Sequence, residues 1–126
     1  MSTISTTISN GITLATSGSY TSPLTITPAG AIVPSGYAIF GPAGYAWTVV
    51  NQGTLGGTLA GDVIFLDAYG FAGYVNNAGG LIQSTTQGVL LRGTAGTVVN
   101  SGTIVGGADA LAVLVYRGGS VSNNGG

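Results

Sequence analysis

The sequence contains no cysteine, histidine, lysine or glutamate, and two arginines with three aspartates are its whole charged inventory. Each absence closes a class of chemistry. Without histidine or cysteine there is no His-based triad, no thiol nucleophile and no zinc site built on nitrogen and sulfur ligands. Disulfides cannot hold the fold, and missing cysteine is compatible with any redox compartment. A net charge of -1 over 126 residues leaves no basic footprint for nucleic acid or an anionic membrane. The longest apolar stretch, Leu111 to Tyr116, falls far short of the roughly 20 residues a bilayer needs, so no membrane span is expected. The opening Met1 to Thr7 has neither a basic nor an apolar region, and no signal peptide is expected within the chain.

What is abundant is glycine, with 24 residues, and apolar side chains, at 44%. Disordered chains combine low hydrophobicity with high charge, so this one should be packed, as one domain with a modest core. Glycine among Ser, Thr and Asn also suits a flexible linker, but internal repeats argue otherwise. Val49-Val50-Asn51-Gln52-Gly53-Thr54-Leu55 recurs as Val98-Val99-Asn100-Ser101-Gly102-Thr103-Ile104. Between them lies Tyr74-Val75-Asn76-Asn77-Ala78-Gly79-Gly80-Leu81-Ile82, one residue longer after the Asn. Worn copies are Val121-Ser122-Asn123-Asn124-Gly125 and Ile26-Thr27-Pro28-Ala29-Gly30-Ala31-Ile32. Equating Pro28, Asn51, Asn76, Asn100 and Asn123 gives steps of 23, 25, 24 and 23 residues. Ala38-Ile39-Phe40 repeats as Val63-Ile64-Phe65 after 25 residues and as Val89-Leu90-Leu91 after 26 more.

These short β-branched and aromatic runs between Gly and Asn read as strands joined by turns. Ala108 to Tyr116 is helix-like in composition but sits where the repeat demands a strand, and is assigned as one. Strands at this density also suit a sandwich, yet a sandwich has no reason to repeat its sequence. The coil of a parallel β-solenoid does, because each coil stacks on the last at about 4.8 Å. The expectation is an all-β solenoid of about five coils, 23–25 residues each, in one domain over 1–126. Residues 1–20 hold a first strand or cap, and 21–126 the coils. Columns such as Ile39/Ile64/Leu90 and Val50/Val75/Val99 would fill the interior. Asn51, Asn76 and Asn100 would form a hydrogen-bonded ladder, with Gly53 and Gly102 accepting positive φ at the corner.

The phrases Val50-Asn51-Gln52-Gly53-Thr54-Leu55 and Val99-Asn100-Ser101-Gly102-Thr103-Ile104 resemble the repeats of bacterial secreted β-helix proteins, of the autotransporter-passenger and filamentous-haemagglutinin type. The resemblance covers roughly residues 20–126 as a repeat style. It implies a bacterial extracellular or cell-surface protein, and the same coils serve as adhesins, spacers and enzyme scaffolds.

Asp67, Arg92 and Arg117 are spaced by 25 and 25 residues, which would stack them in one column. Such a column is an exposed ion-pair ladder, or a clamp for a sugar acid through the guanidinium forks. Asp62 and Asp109 open apolar strands and read as turn residues. The calcium-binding Gly-Gly-x-Gly-x-Asp repeat is missing, so neither metal nor cofactor is expected. Acid-base catalysis on a sugar needs two positioned carboxylates, which three scattered aspartates hardly offer. Thr25-Ile26-Thr27 alone has the pattern of an ice-binding ladder. Tyr37, Tyr45, Trp47, Tyr69, Phe71 and Tyr74 cluster in residues 37–74, as core, as a side packed on another chain, or as a glycan-stacking platform. The functional expectation is a non-enzymatic subunit of an extracellular bacterial fibre or adhesin, self-assembling head to tail. The alternatives are a glycan-binding module or a part of a larger passenger protein.

Overall fold

Alternating inward and outward side chains with β-branched residues on the inward positions favour strands, and a narrow interior favours strands of three to five residues. The computed structural model describes residues 1–56 and 62–125, in which fourteen strands and no helix are found. The first coil contains β1 (Ser2–Ile4), β2 (Thr7–Ile8) and β3 (Ile12–Thr13), and the second β4 (Leu24–Ile26), β5 (Ala31–Ile32) and β6 (Ile39–Gly41). The third contains β7 (Trp47–Asn51), β8 (Thr54–Gly56) and β9 (Ile64–Leu66). Then come β10 (Gly73–Asn77), β11 (Leu81–Gln83), β12 (Val89–Asn100), β13 (Thr103–Val105) and β14 (Val113–Asn123).

Every pairing between strands is parallel and joins equivalent strands of adjacent coils. Three ladders result. The first face runs β1-β4-β7-β10 and continues through the C-terminal parts of β12 and β14. The second runs β2-β5-β8-β11-β13. The third runs β3-β6-β9 and continues through the N-terminal parts of β12 and β14. The long strands β12 and β14 turn from the third face to the first without a break, merging those two ladders. The chain is therefore a parallel β-solenoid of about five turns. Residues 1–20, expected to hold a first strand or a cap, contain a strand of each of the three faces.

The core is a set of columns. Leu24, Val49, Val75 and Val98 stack on the first face, Ile32, Leu55 and Ile82 on the second, and Ile39, Ile64 and Val89 on the third. All are fully buried, and each such side chain contributes about 1.5–3 kcal/mol of transfer free energy. Trp47, only 2% exposed, is accommodated by glycines: its register partner in the next coil is Gly73, and a Cβ on Gly41 would strike its ring. Its Nε1 donates to the Pro42 carbonyl at 2.6 Å.

Four expected columns are corrected by the register. Asn77, not Asn76, pairs with both Asn51 and Asn100, while Asn76 pairs with Val50 and Val99. The inward column is accordingly Val49/Val75/Val98, not Val50/Val75/Val99, because strand alternation sends residues i and i+2 to one face. The inward signature is Val-x-Asn, and matching the adjacent Val-Asn shifted the fourth coil by one residue. On the third face Ile64 pairs with Val89, so Leu90 stacks outside on Phe65 and Leu114 rather than beneath Ile64. The Asp67/Arg92/Arg117 column breaks at its last member. The β12–β14 register shifts between Leu91 and Thr94, which brings Arg117 beside Thr94 and not beside Arg92. At the other end of the repeat, Ile26, not Pro28, is the partner of Asn51.

Candidate functional site

The corner where the first face meets the second is an asparagine spine. Asn51, Asn77 and Asn100 are buried, and each donates through Nδ2 to the Oδ1 of the next coil's asparagine: Asn51 to Asn77 at 2.8 Å, Asn77 to Asn100 at 2.7 Å and Asn100 to Asn123 at 2.7 Å. Asparagine Oδ1 atoms also accept backbone N–H groups two residues on, Asn51 from Gly53 at 3.2 Å and Asn100 from Gly102 at 3.1 Å. This fully engaged network satisfies amides that would otherwise be costly inside the coil. Gly53 and Gly102 do not adopt positive φ, contrary to expectation. They are glycines because a Cβ would run into the neighbouring coil's backbone, at the carbonyls of Gly30 and Gly80 respectively. The buried amides of the spine are taken up by each other and by backbone groups.

The corner between the third and first faces differs. Tyr45 lies between β6 and β7, Tyr69 and Phe71 between β9 and β10, and Arg92, Tyr116 and Arg117 within β12 and β14. Equivalent corner segments of successive coils therefore present exposed aromatics and both of the chain's cations. The Arg117 guanidinium lies 4.6 Å from the centre of the Tyr69 ring, and that of Arg92 5.7 Å from the centre of the Tyr116 ring. Each arginine thus engages a ring of another coil. The corner loops are tied to each other, with Thr94 N–H donating to the Phe71 carbonyl at 2.9 Å. Asp67 enters this corner half-buried, its N–H donating to the Gly41 carbonyl at 2.8 Å.

Tyr37, Tyr45, Trp47, Tyr69, Phe71 and Tyr74 are divided by the fold. Tyr45, Tyr69 and Phe71 are at this corner, and Tyr74 faces outward on β10 beside it. Trp47 is core. Tyr37 sits at the opposite end of the third face, where it packs against Phe40 and Phe65 at centroid distances of 5.9 and 5.8 Å. Tyr116, which sequence reasoning did not single out, joins the first group because of the β14 register alone.

Tyr37 also edges a shallow groove at the corner of the second and third faces, about 490 Å³, lined with Ser35, Asp62, Thr86 and Gln87. Partial burial raises the Asp62 carboxyl above its ordinary value. Asp109 is exposed. Among the described residues no group of three or more His, Cys, Asp or Glu side chains could hold a metal ion, and no helix is long and apolar enough to cross a membrane.

Among the described residues, interior positions in the coil of β13 and β14 are left open. Val121 continues the column of Val98 but is 53% exposed, and Val113 and Val115 are only partly covered. A cavity of about 170 Å³ opens there among Asn100, Ile104, Ala112, Val113, Val121 and Asn123. At the other end β1 pairs with β4 alone among the described strands. Comparison with known proteins yields no matching family model, no matching curated protein and no matching solved structure.

Proposed function

We propose that the chain is a non-enzymatic structural unit that stacks end to end in a bacterial extracellular fibre or surface adhesin. The observation that carries this reading is the stack itself, in which each described coil offers the next a parallel strand edge over continuous apolar columns, up to Val113 and Val121 beside an open cavity in the coil of β14. An edge strand with free N–H and C=O groups over exposed apolar columns is a template for further strand pairing. A net charge of -1 supplies little repulsion between copies. A side-chain inventory without His, Cys, Lys or Glu supports a structural rather than a catalytic role.

Sedimentation over a wide concentration range, with negative-stain microscopy of the same samples, tests the reading. Polymers that lengthen with concentration are expected, and Val121→Lys should shorten them by placing a charge on the apolar end. A wild-type chain that stays monomeric at high concentration overturns it. A second reading, a glycan-binding module, is favoured by the exposed aromatic and arginine side chains at the corner of the third and first faces.

A further inference from the structure

We propose that the corner between the third and first faces binds an acidic polysaccharide, with sugar carboxylates on the Arg92 and Arg117 guanidinium forks and sugar rings against Tyr69, Phe71 and Tyr116. This is a binding site on the side of the solenoid and does not depend on end-to-end assembly. Four observations converge on it. Both cations of a chain that has no lysine are at this corner, and with Asp67 they leave it a local charge of +1 on a protein whose net charge is -1. Each guanidinium is held over a tyrosine ring, Arg117 over Tyr69 and Arg92 over Tyr116. A planar cation fixed by its face keeps its N–H edge available for bidentate recognition of a carboxylate.

The aromatic residues are exposed, 53% for Tyr69, 49% for Phe71 and 61% for Tyr116. Exposed aromatic surface held in a fixed array is the mark of a recognition surface. Finally, among the described residues the two non-glycine positions with positive φ, Ala68 (37°) and Ala95 (52°), both lie at this corner. Unfavourable backbone retained at one place points to a requirement on side-chain presentation there.

The spacing suits a polymer. Successive coils rise by about 4.8 Å, so a saccharide lying along the axis meets one corner segment per coil, a step close to the length of one pyranose unit. Nucleic acid fits poorly, because two cations neutralise only two phosphates and most nucleic-acid affinity comes from such contacts. A neutral glycan would use the rings and leave the guanidinium edges without partners.

Calorimetric titration with tetragalacturonate and with its fully methyl-esterified form tests the assignment. Saturable binding of the acid is expected, with at least tenfold weaker binding of the ester. Arg117→Gln and Tyr69→Ala should each cost about tenfold in affinity, Arg117→Lys should recover only part of the loss, and Tyr37→Ala at the far corner should change nothing. Both altered side chains are exposed, and an unchanged melting temperature verifies that each variant is folded; if Arg117→Gln is not, Arg92→Gln takes its place. Equal binding of acid and ester, no binding of either, a loss on Tyr37→Ala alone, or equally tight binding of single-stranded tetranucleotide would each overturn the proposal.

Discussion

Asn76 and Asn77 are adjacent and chemically identical, yet the register gives them opposite roles. Asn77 is buried, bridges Asn51 and Asn100, and also donates to the carbonyls of Gly80 at 2.9 Å and Thr103 at 3.1 Å. Asn76 faces outward on the same strand, half-buried. Asn77→Ala removes the acceptor of one ladder bond and the donor of the next inside a low-dielectric coil, a loss of about 1–3 kcal/mol. Asn76→Ala should stay within about 0.5 kcal/mol. Urea denaturation of the two variants checks this, and equal losses would remove the asparagine spine as a source of stability. Asp62 supplies a second test at one side chain. Partial burial disfavours its charged form, so its proton is held more tightly in the folded chain than in the unfolded one. Its contribution to stability is then fully present below the ordinary carboxylate range near pH 4 and is lost as pH rises through the raised value. The wild-type denaturation midpoint should gain relative to that of Asp62→Asn as pH falls from 7 towards 4; a constant difference between the two proteins would contradict the assignment.

Strand identity was legible wherever alternation was strong. Ile39-Phe40 and Ile64-Phe65 were matched in the correct register, 25 residues apart, because two consecutive residue types agree. The parallel stacking followed from the repeat itself, since only a solenoid brings positions one coil apart into contact. Register in the fourth coil was not legible, because Asn76-Asn77 offers two candidates and the adjacent Val-Asn match selects the wrong one. Only the inward pairing of Val75 with Val49 and Val98 decides between them, and that depends on which face the strand buries. The charge column breaks at Arg117 for a related reason. A spacing of 25 residues predicts contact only while the register is constant, and the irregularity between Leu91 and Thr94 displaces Arg117 relative to Arg92. That same irregularity lies within the uninterrupted turn of β12 and β14, where the arginines meet tyrosine rings of other coils. The corner site could therefore be suspected from its residue types, but its pairing partners are a product of the bend in two long strands.

The count of face segments constrains any fibre in which residues 1–126 are the repeating unit. The described chain crosses the first face six times and the second and third five times each, beginning with β1 on the first face and ending with β14 on the same one. A copy stacked without rotation would place its β1 on the end of β14, leaving one level vacant on the second and third faces. Those gaps would leave backbone groups of β13 and of the first part of β14 unpaired and the apolar end cavity unfilled, a costly arrangement. Turning the added copy by one third of a turn closes the gap. Its β1 then continues on the second face above β13, its β2 on the third face and its β3 on the first, so that every strand edge gains a parallel neighbour. Sixteen face segments at three per turn, with a rise of about 4.8 Å per turn, give an axial repeat of about 26 Å per subunit. The resulting filament has a heterologous contact that does not close and so grows without limit. Helical reconstruction from cryo-electron micrographs should return a rotation near 120° with that rise. Filaments with no rotation between subunits, or with antiparallel subunits, would rule out continuous coil stacking as the mode of assembly even if polymers form.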